Sequence, residues 1–405
     1  EFREQPNQIM AKPKIVLAYS GGLDTTVAVP WLQEKYDADI ITLTIDLGMV
    51  ELEPIRQRAL SIGASEAITV DGRETLVNEF LFPSLQAGTI YEEQYPLATA
   101  LGRPLIARYL VEAAKEHEAY AIAHGCTGKG NDQVRIEVGI AALGPEIDVI
   151  APIRDWGMSR EDEIEYGQAR NLPINANRSR FSTDENLWGR SVEAGELEDP
   201  WLEPPEDAYL WTSPVANTPD DPAYVEIHFE EGIPTAVDGE GMGGVDLVNH
   251  LNTLSGTNGI GRIDHVENRL VGIKSREIYE CPAATLLHAA HTSLEAMTLT
   301  KDQARMKARV AQEYADVIYN GLWFTAHRVD LNAYIQSTQR FVTGDVRVRL
   351  HKGSCVVVGR QAPKALYNYN LATYDRADNF DHTSAEGFIK IYGLSVRTEN
   401  QAQSD

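Results

Sequence analysis

Between Ser20 and Thr26 the chain reads Ser-Gly-Gly-Leu-Asp-Thr-Thr. Hydroxyls from Ser20, Thr25 and Thr26, a carboxylate from Asp24 and the adjacent Gly21 and Gly22 crowd into one turn. Glycine carries no Cβ, so backbone N–H groups there can approach a ligand closely. Where a strand enters such a turn and a helix leaves it, those N–H groups and the positive helix end converge on one point. That point is an anion site, and phosphate is the usual anion. Asp24 can organise the loop or a hydrated Mg²⁺. A bare Ser-Gly-Gly also fits an ordinary tight turn; the Asp-Thr-Thr that follows favours phosphate.

A second stretch has the same build: His124-Gly125-Cys126-Thr127-Gly128-Lys129-Gly130-Asn131-Asp132-Gln133-Val134-Arg135. Arg135 can grip a carboxylate with two N–H groups, and Lys129 can face phosphate as a point charge. Asn131 or Asp132 is expected to cap the helix that follows. Gly128-Lys129 is followed by Gly130, so this is not the common nucleotide loop ending in Gly-Lys-Ser/Thr. The Ser-Gly-Gly-x-Asp of the first loop instead resembles the pyrophosphate loop of ATP pyrophosphatases, with Thr26 where Ser is usual.

The flanking pattern supplies the elements that hold these loops. Ile15–Ala18 reads as a buried strand and Asp24–Tyr36 as a helix interrupted by Pro30, which predicts a kink or a helix that settles late. Strands are expected over 39–46, 66–70, 119–123 and 148–151, and helices over 51–62, 73–85, 105–118 and 159–170. This alternation implies a doubly wound parallel sheet with ligands at the strands' carboxyl ends. After Pro173 the segment 175–222 is polar and proline-rich, expected as irregular chain draped over the site. Beyond it the pattern is mixed α+β. Hairpins are expected around Glu231-Gly232 and Lys352-Gly353, strand-like runs over 263–279, and helices over 245–254, 283–299, 301–320 and 330–341. A polar end holds a short Ile389–Ile391 strand. The division is therefore 11–173, nucleotide-binding; 174–375, an α+β synthetase and oligomerisation domain; and 376–405, an oligomerisation tail.

Bulk properties exclude whole classes. The net charge of −24 argues against general nucleic-acid binding. No run of about 18 apolar residues predicts a membrane span. Cys126, Cys281 and Cys355 are widely spaced and form no metal pattern, which fits a reducing, cytoplasmic setting. Residues 1–9 read as a cloning scar or disordered tail, with Met10 a natural start.

With both loops in view, the chain resembles the argininosuccinate synthase family from Lys14 to about Val396. The stretches that carry the resemblance are Ala18–Thr25, His124–Arg135, Asp184-Glu185-Asn186-Leu187, Gly261–Asp264 with Val266–Arg269, and Lys274–Arg276 with Ile278–Glu280. The resemblance implies condensation of citrulline and aspartate with cleavage of ATP to AMP and pyrophosphate, with Mg²⁺, in a homotetramer. It assigns ATP to Ala18, Tyr19, Ser20, Gly21, Gly22, Leu23, Asp24, Thr25, Thr26, Ile45 and Gly125. It assigns aspartate to Thr127, Asn131 and Asp132. Citrulline falls to Tyr95, Thr99, Asn131, Arg135, Ser182, Ser191, Glu267 and Tyr279. Arg135 and Glu267 complement the carboxylate and ammonium of citrulline, while Asp132 is an orienter or proton acceptor for the aspartate amine. Ala100 departs from the Ser frequent in the family, so Thr99 is expected to take over its contact. Two rivals remain: another ATP pyrophosphatase that forms amides or thiolates, and a non-catalytic nucleotide sensor.

Overall fold

In the computed structural model, which describes residues 12–48, 51–174 and 180–404, the first apolar run forms β1 (Lys14–Ala18). The expectations for residues 1–9 and Met10 lie outside the described residues. Side chains alternate across a strand, and β1 uses both faces. Ile15 and Leu17 enter a core with Ala28, Val29 and Leu32 of α1 (Leu23–Tyr36). Val16 enters a second core on the opposite face, with Ala107, Leu110, Ile136 and Ile140. Each such aliphatic side chain contributes about 1.5–3 kcal/mol when fully buried. Helices thus cover both faces of the sheet.

The first half continues through β2 (Asp39–Asp46), α2 (Leu52–Ser61) and β3 (Glu66–Asp71). Next come α3 (Arg73–Leu76), a π-helical turn (Val77–Leu81) and α4 (Phe82–Ala87). Then follow α5 (Ala98–Glu116), β4 (Ala121–Ala123), α6 (Asp132–Leu143), β5 (Asp148–Ile150), α7 (Pro152–Asp155) and α8 (Arg160–Ala169). The five strands are parallel in the order β3-β2-β1-β4-β5. Pro30 does not delay α1, which begins at Leu23 and runs on to Tyr36. Ser159 and Asp162 form a capping box at the start of α8.

One helix differs from its sequence reading. Its apolar periodicity predicts a start at Leu105. Instead α5 starts at Ala98 and carries Pro104 inside it. The extra turn holds Thr99 and Arg103, four residues apart and so on one helix face.

The second half contains two antiparallel sheets. β8 (Ala223–Glu230), β9 (Ile233–Val237), β10 (Glu240–Gly241), β13 (Gly344–His351) and β14 (Ser354–Gln361) form one, ordered β10-β9-β8-β13-β14. Its two-residue turns, Glu231-Gly232 and Lys352-Gly353, have positive φ at both positions, the conformation that matches strand twist. The other sheet has the order β11-β12-β7-β6, built from β6 (Ser182–Asn186), β7 (Gly189–Glu193), β11 (Arg262–Asn268) and β12 (Lys274–Glu280). Strands β6 and β7 correct the expectation of irregular chain throughout 175–222; residues 175–179 lie outside the described residues. Ser-Thr-Asp-Glu-Asn has no apolar alternation because β6 is an edge strand with a polar face.

Helices α9 (Gly244–Thr257), α10 (Pro282–Thr298), α11 (Lys301–Tyr319) and α12 (Ala326–Gln339) complete this half. Its core also takes in Leu76, Phe80, Leu85, Tyr95 and Leu101, so the stretch from α3 to α5 is buried in both halves.

The chain ends in α13 (Tyr369–Ala372), α14 (His382–Tyr392) and α15 (Leu394–Ala402). The strand expected at Ile389–Ile391 is therefore helix. Asp381 caps α14 by accepting the N–H of Thr383 and Ser384, and Lys390 pairs with Glu386 one turn back. These local bonds outweigh the β preference of the isoleucines. Phe388, Ile389, Ile391 and Tyr392 remain exposed.

Candidate active site

The first loop lies at the carboxyl end of β1. Gly21 has φ +74°, in the left-handed region that favours glycine. The first intrahelical bond of α1 runs from Thr26 N–H to Gly22 O, 3.0 Å. The N–H groups of Leu23, Asp24 and Thr25 precede it and are available to a ligand. Ser20 Oγ accepts the Gly22 N–H at 3.3 Å and lies 3.2 Å from Thr25 Oγ1, which fixes the turn. The second loop closes against the first: a Cβ on Gly125 would come 2.9 Å from Thr25 Cγ2, so only glycine permits that approach.

His124 orients the second loop. Its Nδ1 accepts the Cys126 N–H at 3.2 Å, so the ring proton sits on Nε2 and is donated to Glu137 at 3.0 Å. Together the loops line a cavity of ≈ 360 Å³. Ala18, Tyr19, Ser20, Gly22, Leu23, Asp24, Thr25, Ile45 and Gly125 all line it. Gly21 and Thr26 stand behind the wall: Gly21 O accepts from Arg58 at 2.7 Å, and Thr26 Oγ1 lies 3.3 Å from the Tyr19 hydroxyl. Behind Asp24, burial and then the neighbouring Asp24 carboxylate push Glu163 up to about 8.

A second cavity, of ≈ 80 Å³, adjoins the first. The four-stranded sheet builds one wall. Its register pairs Asp184 with Ser191, Ser191 with Tyr279, and Ser182 with Glu193, so these side chains share a face. Glu267 is buried on that wall, and its carboxylate accepts the Tyr279 hydroxyl at 2.6 Å and the Tyr319 hydroxyl at 2.8 Å. Arg269 spans Glu193 and Glu277, and burial followed by the Glu193 and Glu267 charges lifts Glu277 to about 9.

Arg135, 4% exposed, lies across from these acids. Its Nε donates to Tyr319 O at 2.9 Å and its Nη1 to Asp132 at 3.1 Å, while Nη2 is buried without a protein partner. The guanidinium also stands 4.8 Å from the Tyr319 ring. A free, desolvated N–H on a fixed guanidinium is suited to a carboxylate. Carboxylates elsewhere in the lining are suited to an ammonium. The cavity is therefore complementary to a zwitterionic amino acid.

Tyr95, Thr99, Asn131, Asp132, Arg135, Ser191, Glu267 and Tyr279 line this cavity together. Tyr95 stacks on Tyr279 at 4.1 Å and its hydroxyl lies 2.8 Å from Thr99 Oγ1. Thr99 lines the cavity, whereas Ala100 is fully buried beside it. Ser182 sits on the same sheet face but at its exposed rim, outside the lining. Thr127 and Lys129 are exposed on the second loop, also outside both linings.

Asn131 does not cap α6 with its side chain, contrary to expectation, and Asp132 is the first helical residue. Asn131 Nδ2 donates to the Tyr319 hydroxyl at 2.8 Å and its Oδ1 accepts the Leu270 N–H at 2.9 Å. Those long-range partners compete successfully with the local cap.

Several site residues escaped the sequence reading. Tyr319 ends α11 and reads as an ordinary core aromatic. Glu193 and Glu277 read as surface acids on strands. Arg103 lay ahead of the expected helix start. Only the even spacing of Glu277 and Tyr279 along one strand face held a usable signal.

Two family models match the chain: the arginosuccinate synthase N-terminal HUP domain over residues 14–173, and the arginosuccinate synthase C-terminal domain over residues 181–399. The chain is similar to the argininosuccinate synthase of Dehalococcoides mccartyi strain 195, 54% identical over 96% of this chain and 97% of that one. It is equally similar to that of Symbiobacterium thermophilum, 54% identical over 96% and 98%. The enzyme of Gloeobacter violaceus is 54% identical over 97% of this chain and 100% of its own.

Proposed function

The chain belongs to the argininosuccinate synthase family, and from that premise we propose how its two cavities divide the substrates of the reaction. The enzyme is an ATP-dependent ligase that joins citrulline to aspartate in arginine biosynthesis. ATP takes the larger cavity, with its phosphates on the N–H groups of residues 23–25 and its base beside Ile45. Citrulline takes the smaller one, its carboxylate on Arg135 Nη2 and its ammonium toward Glu267 and Ser191. Aspartate meets Asn131 and Asp132 at the mouth, with Thr127 closing over it.

One observation carries this reading: Asp132 and Asp184 line both cavities, so the two share a wall. A citrulline anchored in the smaller cavity then presents its ureido oxygen to the α-phosphate of ATP. Attack there forms the P–O bond of citrullyl-AMP and expels pyrophosphate. The aspartate amine next bonds to the activated carbon and AMP leaves. The substrates supply the nucleophiles, so the protein contributes positioning and charge stabilisation.

Mg²⁺ suits this site as a partner of the phosphates. It favours oxygen ligands and usually takes one or two carboxylates besides phosphate. Asp24 is the carboxylate beside the first-loop N–H groups, and no larger cluster of metal-binding side chains exists among the described residues. When bound, the ion would neutralise phosphate charge. The proposal extends to a cytoplasmic homotetramer, supported by the unpaired cysteines and by the exposed apolar side chains of α14 and α15 at the chain end. It also keeps the division at residue 173, with 376–405 as the oligomerisation tail.

The test is an endpoint assay by mass spectrometry on complete mixtures and on mixtures lacking each substrate. Argininosuccinate, AMP and pyrophosphate are expected only from the complete set. AMP release that needs no citrulline would overturn the assignment of the smaller cavity.

A further inference from the structure

Arg103 lies in the turn of α5 that precedes Pro104, and its side chain is 12% exposed. Its Nη2 donates to Asp132 at 2.8 Å and also bonds Asp184, while its Nε is buried without a protein partner. These three residues come from α5, α6 and β6, so a single guanidinium ties both halves of the molecule at the wall common to the two cavities. We propose that Arg103 is a positioning residue for the second half of the reaction: it pins Asp132 to Asp184 and so keeps Asp132 aimed, as a carboxylate, at the amino group of the incoming aspartate. This rests on the assignment of Asp132 to aspartate.

The electrostatics agree with that geometry. Burial opposes ionisation of Asp132, but Arg103 and then Arg135 overcome it and hold the group at about 2. A carboxylate held that low is a poor proton acceptor near neutral pH. Its use is to accept a hydrogen bond and aim the amine. Burial pushes Asp184 the other way, upward, and Cys126 beside the pair is pushed up to about 12, so it stays neutral. The groups around Asp132 are then Arg103 from α5, Arg135 from its own helix, Asp184 from β6 and Cys126 from the loop. Glu137, a turn further along α6, is taken up by His124 and Arg154. Removing Arg103 leaves two converging half-buried carboxylates with Arg135 on only one of them. Such a pair takes up a proton.

The experiment compares R103M, R103K, D132N and R103M/D184N in the full-length enzyme. Steady-state KM values are read beside citrulline-dependent pyrophosphate release in a single turnover without aspartate. R103M is expected to raise the aspartate KM by about tenfold or more, the usual consequence of unpairing a buried charge. Single-turnover pyrophosphate release should change by less than about twofold. The pH profile of kcat/KM for aspartate should gain an acid limb, because activity is lost as the pair takes up its proton. Adding D184N should remove that limb, and R103K should recover part of the affinity. If R103M fails to fold, the acid limb is sought in R103Q, which removes the charge but keeps a hydrogen-bond donor, and its absence there overturns the proposal. Equal loss of pyrophosphate release and of argininosuccinate formation would also overturn it. An unchanged aspartate KM in D132N would sink the assignment of Asp132 itself; a raised one beside a normal R103M would sink the clamp alone.

Discussion

The two cavities are made in opposite ways. The larger is built from contiguous backbone: β1, the Gly21-Gly22 turn and the first turn of α1 follow one another in the chain, and Gly125 admits the second loop against them. The smaller is built from side chains that start at Tyr95 and end at Tyr279 and come from helices, strands and loops. Backbone N–H groups can bind a phosphate on almost any substrate, whereas a fixed set of side chains reads one ligand's charge pattern. On the proposed assignment, the first cavity supplies a general reagent and the second the choice of acceptor. Substitutions in one should leave the other's ligand largely untouched, and that separation can be measured.

The largest effect is expected from Arg135→Ala. It removes the buried guanidinium whose Nη2 has no protein partner, and the citrulline KM should rise about a hundredfold. The ATP KM should stay near its original value in the same steady-state assays; a parallel rise would mean that the cavities do not act separately. Asp24→Ala is the reciprocal test. It should lower kcat/KM for ATP by about tenfold while circular dichroism and the melting curve stay those of a folded protein. Normal ATP kinetics would count against phosphate binding at the first loop.

Smaller changes sharpen the contrast. Tyr319→Phe deletes the hydroxyl that joins Asn131 to Glu267. The loss of about 1 kcal/mol of hydrogen bonding should appear in the citrulline KM, by roughly fivefold, and leave ATP alone. Glu163→Gln probes the rear of the first loop. Folded Glu163 titrates at about 8 against an ordinary 4.5. The folded chain thus holds more protons than the unfolded one between those values, and stability falls as pH rises through the window. Gln cannot ionise, so the advantage of the variant in urea denaturation should widen from pH 5 to 8; a constant difference would disprove the shift. Ala100→Ser should matter least. Thr99 already bonds the Tyr95 hydroxyl and lines the cavity, so the citrulline KM should move by less than about twofold.

The parallel sheet was legible because its signals are local. An apolar run of strand length followed by a glycine turn and a helical pattern specifies each strand–turn–helix unit by itself. The four-stranded sheet was legible only in its strand-like runs over 263–279; β6 and β7 were not, since β6 is a polar edge strand without apolar alternation. The tail misled for a related reason: Ile389 and Ile391 favour a strand, but capping and an ion pair one turn apart settle the helix. Arg135 stood out within the polar second loop, but its tie to citrulline, and Glu267 altogether, came only through the resemblance to a family. As bare residue types, each is equally at home on a solvated surface.

The sequence by itself determined the first glycine loop, the doubly wound sheet that presents it, and the family to which the chain belongs. Those rest on contacts between near neighbours in the chain, which spacing and residue type encode directly. Only the tertiary structure decided which partners each acid meets: Arg103 between Asp132 and Asp184, Arg269 between Glu193 and Glu277, Glu267 beneath the hydroxyls of Tyr279 and Tyr319. The free energy of a charge depends on its burial and on partners brought from distant segments. No local pattern carries that information before the chain has folded.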